Sequence, residues 1–258
     1  MKFNANILLL LAVALTWVSC SSPSFNFKEK NAKPISHEKY DALLTKHVDD
    51  KGDVDYKGFL KDSTKFDVYL DLLSDNPPAK DWTDDQKKAY WINAYNAFTI
   101  KLIMNNYPVK SITDLSKPGS IGIINGVWHE KFFKIGGNIM NLNAIEHRML
   151  RKKFDDPRIH FAIVCASKSC PKLLNKAYTA EKLDQQLTQQ AKDFLADDFR
   201  NEIKSPTEAN VSKIFTWFKG DFTKKGTLIE FINKYSPTQI EKGTNLGHTE
   251  YDWSLNEQ

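Results

Sequence analysis

The longest regular pattern of apolar and polar positions predicts a helix over residues 84–105. Thr83 and Gln86 have the spacing of a capping box, in which each side chain bonds the backbone N–H of the other residue. Pro108 marks the far end, because proline cannot continue a helix. Apolar side chains that recur every three or four positions would share one face: Trp91, Tyr95, Phe98 and Leu102.

Shorter patterns of the same period predict further helices on both sides of this central helix. The first begins near Ser36, and the last covers residues 228–235. Asn143 and Glu146 have the spacing of a helix cap. The other predicted helices cover residues 66–73, 144–153 and 179–195.

The pattern changes to strands after residue 119. Gly136 and Gly137 lie between apolar runs and are typical of a β-hairpin turn. The nearly continuous apolar run within residues 158–164 predicts a strand buried on both faces, and residues 211–222 read as a further strand or hairpin. We therefore predict an α+β fold in a single domain, with the central helix packed on an antiparallel sheet that contains residues 158–164.

The N-terminus has the pattern of a lipoprotein signal peptide. One basic residue precedes an apolar run over residues 7–18, which is shorter than the roughly twenty residues that span a bilayer. A small residue stands before Cys20, in a junction that resembles a lipobox. We predict a signal peptide over residues 1–19, a lipid on Cys20 and a flexible tether over residues 20–34. An ordinary cleaved signal with a free Cys20 is the alternative.

The remaining residues, 35–258, suit one globular domain. The chain is 41% apolar and 12% aromatic, which is ample for a core. Its 36 basic and 32 acidic residues are interspersed, so we predict no nucleic-acid partner. No acidic cluster follows Cys20 of the kind that resembles a surface-export tag. We therefore expect the lipid on Cys20 to sit in the outer membrane, with the domain facing the periplasm.

Several separated segments form a recognisable pattern. They are YWINAYNA (90–97), LNAIEHRMLR (142–151), DPRIHFA (156–162), CASKSCP (165–171), WFKGDF (217–222) and YDWSLN (251–256). Together they resemble the domain-of-unknown-function 547 family. The resemblance covers nearly all of the chain after the tether, and the order of the segments makes it specific.

This family has no settled activity, and the resemblance implies a fold similar to papain-like or transglutaminase-like cysteine hydrolases. Such hydrolysis needs a thiolate, an imidazole that takes its proton and a polar group that orients the imidazole. The C-terminal segment could close over such a site. The candidate catalytic residues within the segments are Cys170, Cys165, His147, His160 and Glu146. The candidate orienting or binding residues are Asn93, Asn96 and Trp91.

Four of these candidates also have a structural interpretation. In an oxidising compartment, Cys165 and Cys170 form a disulfide as readily as they supply a nucleophile. Glu146 can be the cap partner of Asn143, and His160 can be a hydrogen-bonded core residue. The central helix has no cysteine at its start, where a transglutaminase-like hydrolase would carry one. This departure counts against the hydrolase and leaves open a relative that binds peptides or glycans without catalysis.

Two functions are therefore predicted as alternatives. The first is a thiol-dependent hydrolase or acyltransferase that acts on envelope peptides. The second is a non-catalytic periplasmic binding or scaffolding domain for a peptide or glycan ligand. A sulfur within hydrogen-bond reach of a histidine would favour the first, and an aromatic cleft without such a pair would favour the second. The sequence has no zinc-type or phosphate-binding motif, so we predict no metal and no cofactor.

Overall fold

Most of the predicted helices form, and they surround the predicted central helix. A computed structural model describes residues 25–27, 33–116 and 126–258 of the chain; the predicted signal peptide and Cys20 lie outside these ranges. The α-helices of the described residues are α1 (Glu38–His47), α2 (Tyr56–Lys61), α3 (Ser63–Asp75), α4 (Asp84–Asn106), α5 (Leu142–Ala144), α6 (Leu183–Leu195), α7 (Ile214–Trp217), α8 (Lys219–Phe222) and α9 (Leu228–Asn233).

The central helix α4 confirms the capping box. The Gln86 N–H donates to Thr83 Oγ1 at 3.2 Å, and the Thr83 N–H donates to Gln86 Oε1 at 2.8 Å. Nearly every side chain from Ala89 to Met104 is buried, so the helix is enclosed on all sides rather than on one face. It packs against α2, α3 and the segment that follows α5.

The predicted hairpin forms as strands β1 (Phe133–Ile135) and β2 (Asn138–Met140), paired antiparallel. Gly136 and Gly137 have φ values of +55° and +82°, which the tight turn requires and which glycine adopts without steric cost. Phe98 of α4 stacks on Phe133 of β1, with 3.9 Å between the ring centroids. The hairpin therefore covers part of the central helix.

A second sheet lies near the C-terminus and corrects the prediction for residues 211–222. It consists of β3 (Glu202–Ser205), β4 (Glu208–Val211) and β5 (Gly247–His248), with β3 antiparallel and β5 parallel to β4. Residues 214–222 form α7 and α8 instead of a strand. Their apolar positions 214, 218 and 222 are four residues apart, which is helical spacing.

The strand predicted over residues 158–164 is wrong. The segment begins as a 3₁₀ turn, Pro157–Phe161, which starts at a proline after the capping side chain of Asp156. Ile159 and Ala162 pack in the larger hydrophobic core, around α4, whereas Phe161 packs in a smaller core between α6 and α9. An apolar run thus marks a turn buried between two cores as readily as a strand.

The predicted helix over residues 144–153 begins earlier and changes its pitch. Asn141, rather than Asn143, caps α5, because its Oδ1 accepts the Ala144 N–H at 2.8 Å. Residues Ile145–Leu150 then form a π-helical turn, in which the Arg151 N–H donates to the Glu146 carbonyl at 2.8 Å. The interpretation of Glu146 as a cap partner is therefore wrong. Single π turns occur often at functional sites.

The helix predicted from residue 179 begins later, at Leu183. Among the described residues, no helix is both long enough and apolar enough to cross a membrane. The architecture is α+β, as predicted, with two small sheets at the edges of a helical core.

Candidate functional site

The five predicted catalytic residues lie around one cavity of about 450 Å³. Its walls come from the π-helical turn, the loop over residues 165–171, α7 and the C-terminal segment. This volume is in the usual range for small-ligand sites. The residues that line it are Tyr95, Trp128, Asn143, Glu146, His147, Arg151, His160, Ile163, Cys165, Cys170, Pro171, Ile214, Trp217, Phe218, Tyr251 and Trp253.

The two cysteines form a disulfide at the floor of this pocket, with 6.2 Å between their Cα atoms. The Tyr251 hydroxyl lies 3.3 Å from Cys165 Sγ and 3.5 Å from Cys170 Sγ. Within the described residues, no hydrogen bond joins either sulfur to a histidine. Thiol chemistry would therefore require that the disulfide first be reduced.

The C-terminal segment closes over the disulfide loop, as predicted. The Lys168 N–H donates to the Ser254 carbonyl at 2.9 Å, and the Asn256 N–H donates to the Ala166 carbonyl at 3.2 Å. Ala166 has a φ of +58°, a left-handed conformation that costs a residue with a Cβ about 1 kcal/mol or more. Strained residues of this kind cluster at binding and catalytic sites.

A chain of hydrogen bonds orients the two histidines at the back of the pocket. Asp221 Oδ2 accepts from His160 Nε2 at 2.8 Å and from Arg151 Nε at 2.5 Å. These two bonds hold the pKa of Asp221 far below its usual range. Arg151 also donates to His147 Nδ1 at 2.8 Å. Burial, helped by the charge of Arg151, lowers the pKa of His147 to about 4, so this imidazole is neutral at physiological pH.

Two buried polar atoms in this pocket have no hydrogen-bond partner within the described residues. They are Glu146 Oε1 and His160 Nδ1. Glu146 is 8% exposed and His160 is 3% exposed. Burial raises the pKa of Glu146 to about 7, although the charge of Arg151 opposes this rise. Because unpaired buried polar groups are rare, these two atoms point to a missing partner.

The outer wall of the pocket is aromatic. Trp217 and Trp253 lie nearly parallel with 5.7 Å between ring centroids, and Tyr251 lies 4.5 Å from Trp253. Trp128 continues the wall on the other side of Trp253, at 5.9 Å. Trp217 remains 37% exposed although it is a large aromatic residue. This wall offers ring faces to a ligand.

Residues 79–195 match the family described as "Protein of unknown function, DUF547". The chain is similar to this family over that range. The first four sequence segments fall inside the matched range, whereas WFKGDF (217–222) and YDWSLN (251–256) lie beyond it. No curated protein and no solved structure matches the chain. The implied likeness to papain-like or transglutaminase-like hydrolases therefore stays a prediction.

Three candidate binding residues in the matched range lie away from this pocket. Asn93 exchanges two bonds with the backbone of Tyr178, at 2.8 and 2.9 Å. Asn96 donates to the Ala162 carbonyl at 2.8 Å and accepts the Val164 N–H at 2.9 Å. Trp91 is a buried core residue that packs on its neighbour in α4. Both side-chain amides therefore hold the backbone of neighbouring segments in place. A binding role for the three residues remains a prediction.

Sequence reasoning missed several residues of the site, although most of them lie inside the DUF547-like segments. Arg151 ends LNAIEHRMLR, and Asp221 lies in WFKGDF. Asp221 is 61 residues from its partner His160, so no spacing rule links the two. Trp217, Tyr251 and Trp253 were visible only as members of the C-terminal segments. Trp128 lies outside every segment, and no sequence signal indicates it.

Proposed function

We propose that the domain is a non-catalytic binding module whose aromatic pocket takes a peptide or glycan ligand of the bacterial envelope. The observation that carries the proposal is the continuous wall of Trp217, Tyr251 and Trp253 above a closed disulfide. Amide groups and the C–H faces of sugars both pack on aromatic rings, whose faces carry partial negative charge. Pockets of this kind combine apolar walls with a few polar groups that fix orientation.

A thiol-dependent hydrolase or acyltransferase is the second candidate. It is favoured by one observation: Cys165, Cys170, His147, His160 and Glu146 all line the same cavity. Its nucleophile would have to be released from the disulfide and ionised before it could attack a carbonyl. The two candidates therefore differ in the redox state in which they act. The binding module binds its ligand with the disulfide closed, whereas the hydrolase needs the disulfide reduced.

We expect that iodoacetamide labels neither Cys165 nor Cys170 in the native protein until a reductant is added. In the same unreduced state, the protein should bind N-acetylglucosamine trisaccharide or Nα,Nε-diacetyl-lysine methylamide. Mass spectrometry of proteolytic fragments measures the labelling, and tryptophan fluorescence measures the binding. Rapid labelling of one cysteine without reductant, abolished by His147→Gln or His160→Gln, would instead establish the hydrolase.

We further propose that the domain is held at the periplasmic face of the outer membrane by a lipid on Cys20. Acyl chains contribute about 0.8 kcal/mol for each buried methylene group, so several chains make release negligible. Cys20→Ser should therefore leave the protein in the soluble or unprocessed fraction. Cell fractionation followed by immunoblotting measures this. Unchanged processing and unchanged recovery with outer membranes after the substitution would contradict the anchor.

A further inference from the structure

The two unpartnered atoms of the pocket are both hydrogen-bond acceptors. Asp221 is ionised and accepts from His160 Nε2, so that nitrogen carries the proton and Nδ1 presents a lone pair. Burial lowers the pKa of His160, which keeps the ring neutral. The ring stacks on Phe218 with 4.0 Å between centroids, which fixes the direction of Nδ1. Glu146 Oε1 is the second acceptor.

The cation nearest to these acceptors is already engaged elsewhere. Arg151 donates through Nε to Asp221 and through another guanidinium nitrogen to His147. His147 Nδ1 lies 3.9 Å from Glu146 Oε1, which is beyond hydrogen-bond distance. A ligand that satisfies Glu146 and His160 must therefore bring its own N–H or O–H donors.

The aromatic wall adds a preference for positive charge. The faces of Trp217, Trp253 and Tyr251 attract a cation that lies within about 6 Å of a ring centroid. A primary ammonium group has three N–H donors, which is enough for both acceptors. A quaternary ammonium would leave both acceptors unpaired, and a hydroxyl has one donor only.

We propose that the pocket binds a primary ammonium group, held between Glu146 Oε1 and His160 Nδ1 and covered by the aromatic wall. This inference rests on the proposed binding function and names the ligand group that the pocket recognises. A lysine-type side chain of a peptide and an amino sugar both carry such a group. They share the chemistry, and the probes below distinguish them.

Binding should depend on pH because the carboxyl of Glu146 must be ionised to pair with the cation. The charged or titratable groups around it are Arg151 and His147 on its own turn, Tyr95 on α4, Asp221 on α8 and His160 on the 3₁₀ turn. Burial raises the pKa of Glu146 to about 7, which falls in the range of the experiment. Below pH 7 the carboxyl is protonated and binding is weak, whereas above pH 7 it is ionised and binding is strong.

The test uses two pairs of probes and the purified protein. Nα-acetyl-lysine methylamide and glucosamine carry the ammonium, and their matched partners, Nα,Nε-diacetyl-lysine methylamide and N-acetylglucosamine, have it acetylated. Isothermal titration calorimetry should show at least tenfold tighter binding of one ammonium probe than of its acetylated partner, at pH 8 for the lysine pair and at pH 7 for the sugar pair, because the glucosamine amine loses most of its charge by pH 8. Affinity for the lysine probe, whose amine stays charged over this range, should fall about tenfold between pH 8 and pH 6, as the ionised fraction of Glu146 falls.

Two variants test whether the preference for the ammonium probe arises in the pocket. Glu146→Gln keeps the size of the side chain but not its charge. It should weaken binding of the ammonium probe at least tenfold at pH 8 and remove the pH dependence of the affinity. Glu250→Gln removes the same charge from an exposed residue outside the pocket. It should change neither the affinity for the ammonium probe nor the pH dependence of that affinity. Binding of the acetylated probes should survive in both variants.

The outcomes separate the inference from the proposed function. Equal affinity of the ammonium and acetylated probes would overturn the ammonium site and leave the binding module standing. This comparison changes only the ligand, so it holds even where a variant fails to fold. Failure of all four probes and of N-acetylglucosamine trisaccharide to bind would overturn both. Preference for the lysine probe would identify a peptide ligand, and preference for glucosamine would identify a glycan.

Discussion

Asn96→Ala should lower the free energy of unfolding by about 3 kcal/mol. The Asn96 amide is buried in the middle of α4 and holds both the Ala162 carbonyl and the Val164 N–H. Removing it leaves two buried backbone groups unpaired, and each costs about 1–3 kcal/mol. The segment that loses its anchor leads directly to the disulfide and separates the two hydrophobic cores. Urea unfolding followed by circular dichroism measures the change in midpoint and slope.

Asn106→Ala is the matched control for this prediction. Asn106 ends the same helix and is exposed, and its side chain donates to the Leu102 carbonyl of its own helix at 2.8 Å. Its loss should cost less than about 1 kcal/mol, as is usual for a surface substitution. Equal destabilisation by the two variants would show that Asn96 does not brace the buried turn in the way described.

Trp217→Ala should weaken ligand binding at least tenfold while the fold is retained. The ligand is whichever of N-acetylglucosamine trisaccharide and Nα,Nε-diacetyl-lysine methylamide the wild-type protein binds more tightly. Trp217 is 37% exposed, and its buried part packs on Tyr251 and Trp253 rather than in either hydrophobic core. Its ring forms the outer end of the aromatic wall, and losing it removes one face of the proposed ligand contact. Tenfold corresponds to about 1.4 kcal/mol, a common value for an aromatic residue in a binding site. Titration by calorimetry measures the loss.

Phe199→Ala provides the comparison for Trp217→Ala. Phe199 is also a large exposed aromatic residue, at 57%, but it does not line the pocket. Its loss should leave the affinity for the probe unchanged. If both variants bind as the wild type does, the aromatic wall is not the binding surface.

The helical core could be predicted from sequence because its signals are local. The capping box at Thr83 and Gln86 and the proline after α4 set the ends of that helix, and both features lie within a few residues of the ends themselves. The hairpin of β1 and β2 was predictable for the same reason, since Gly136 and Gly137 determine its turn. Local signals determine an element when the deciding contacts are made by residues close to it in the sequence.

The buried turn at residues 157–161 could not be predicted in this way. Its apolar run shows that the segment is buried, but not whether its backbone bonds are made to a strand or to side chains. Here the carbonyls of Phe161 and Ala162, at the end of the turn, accept from the amides of Gln190 and Asn96, and Asn96 lies 66 residues before Ala162 in the sequence. The same limit applies to the π-helical turn, for which residues 145–150 carry no distinctive pattern.

The site was predictable in part. The resemblance to DUF547 pointed to five residues that the structure does bring around one cavity. Their roles depend on contacts that spacing cannot reveal, such as the bond between His160 and Asp221 and the approach of Tyr251 to the cysteines. The four residues between Cys165 and Cys170 permit a disulfide but do not require one, so only the geometry shows it.

The indole N–H signals of the protein give the most direct test of the binding pocket. Trp128, Trp217 and Trp253 line it, whereas Trp82 and Trp91 are buried in the core and do not. A ¹⁵N–¹H NMR titration with the tighter probe, with signals assigned by single Trp→Phe substitutions, should shift the three pocket indoles together in a saturable manner and leave the two core indoles in place. Saturable binding that leaves the three pocket indole signals unmoved would show that the ligand binds elsewhere on the protein.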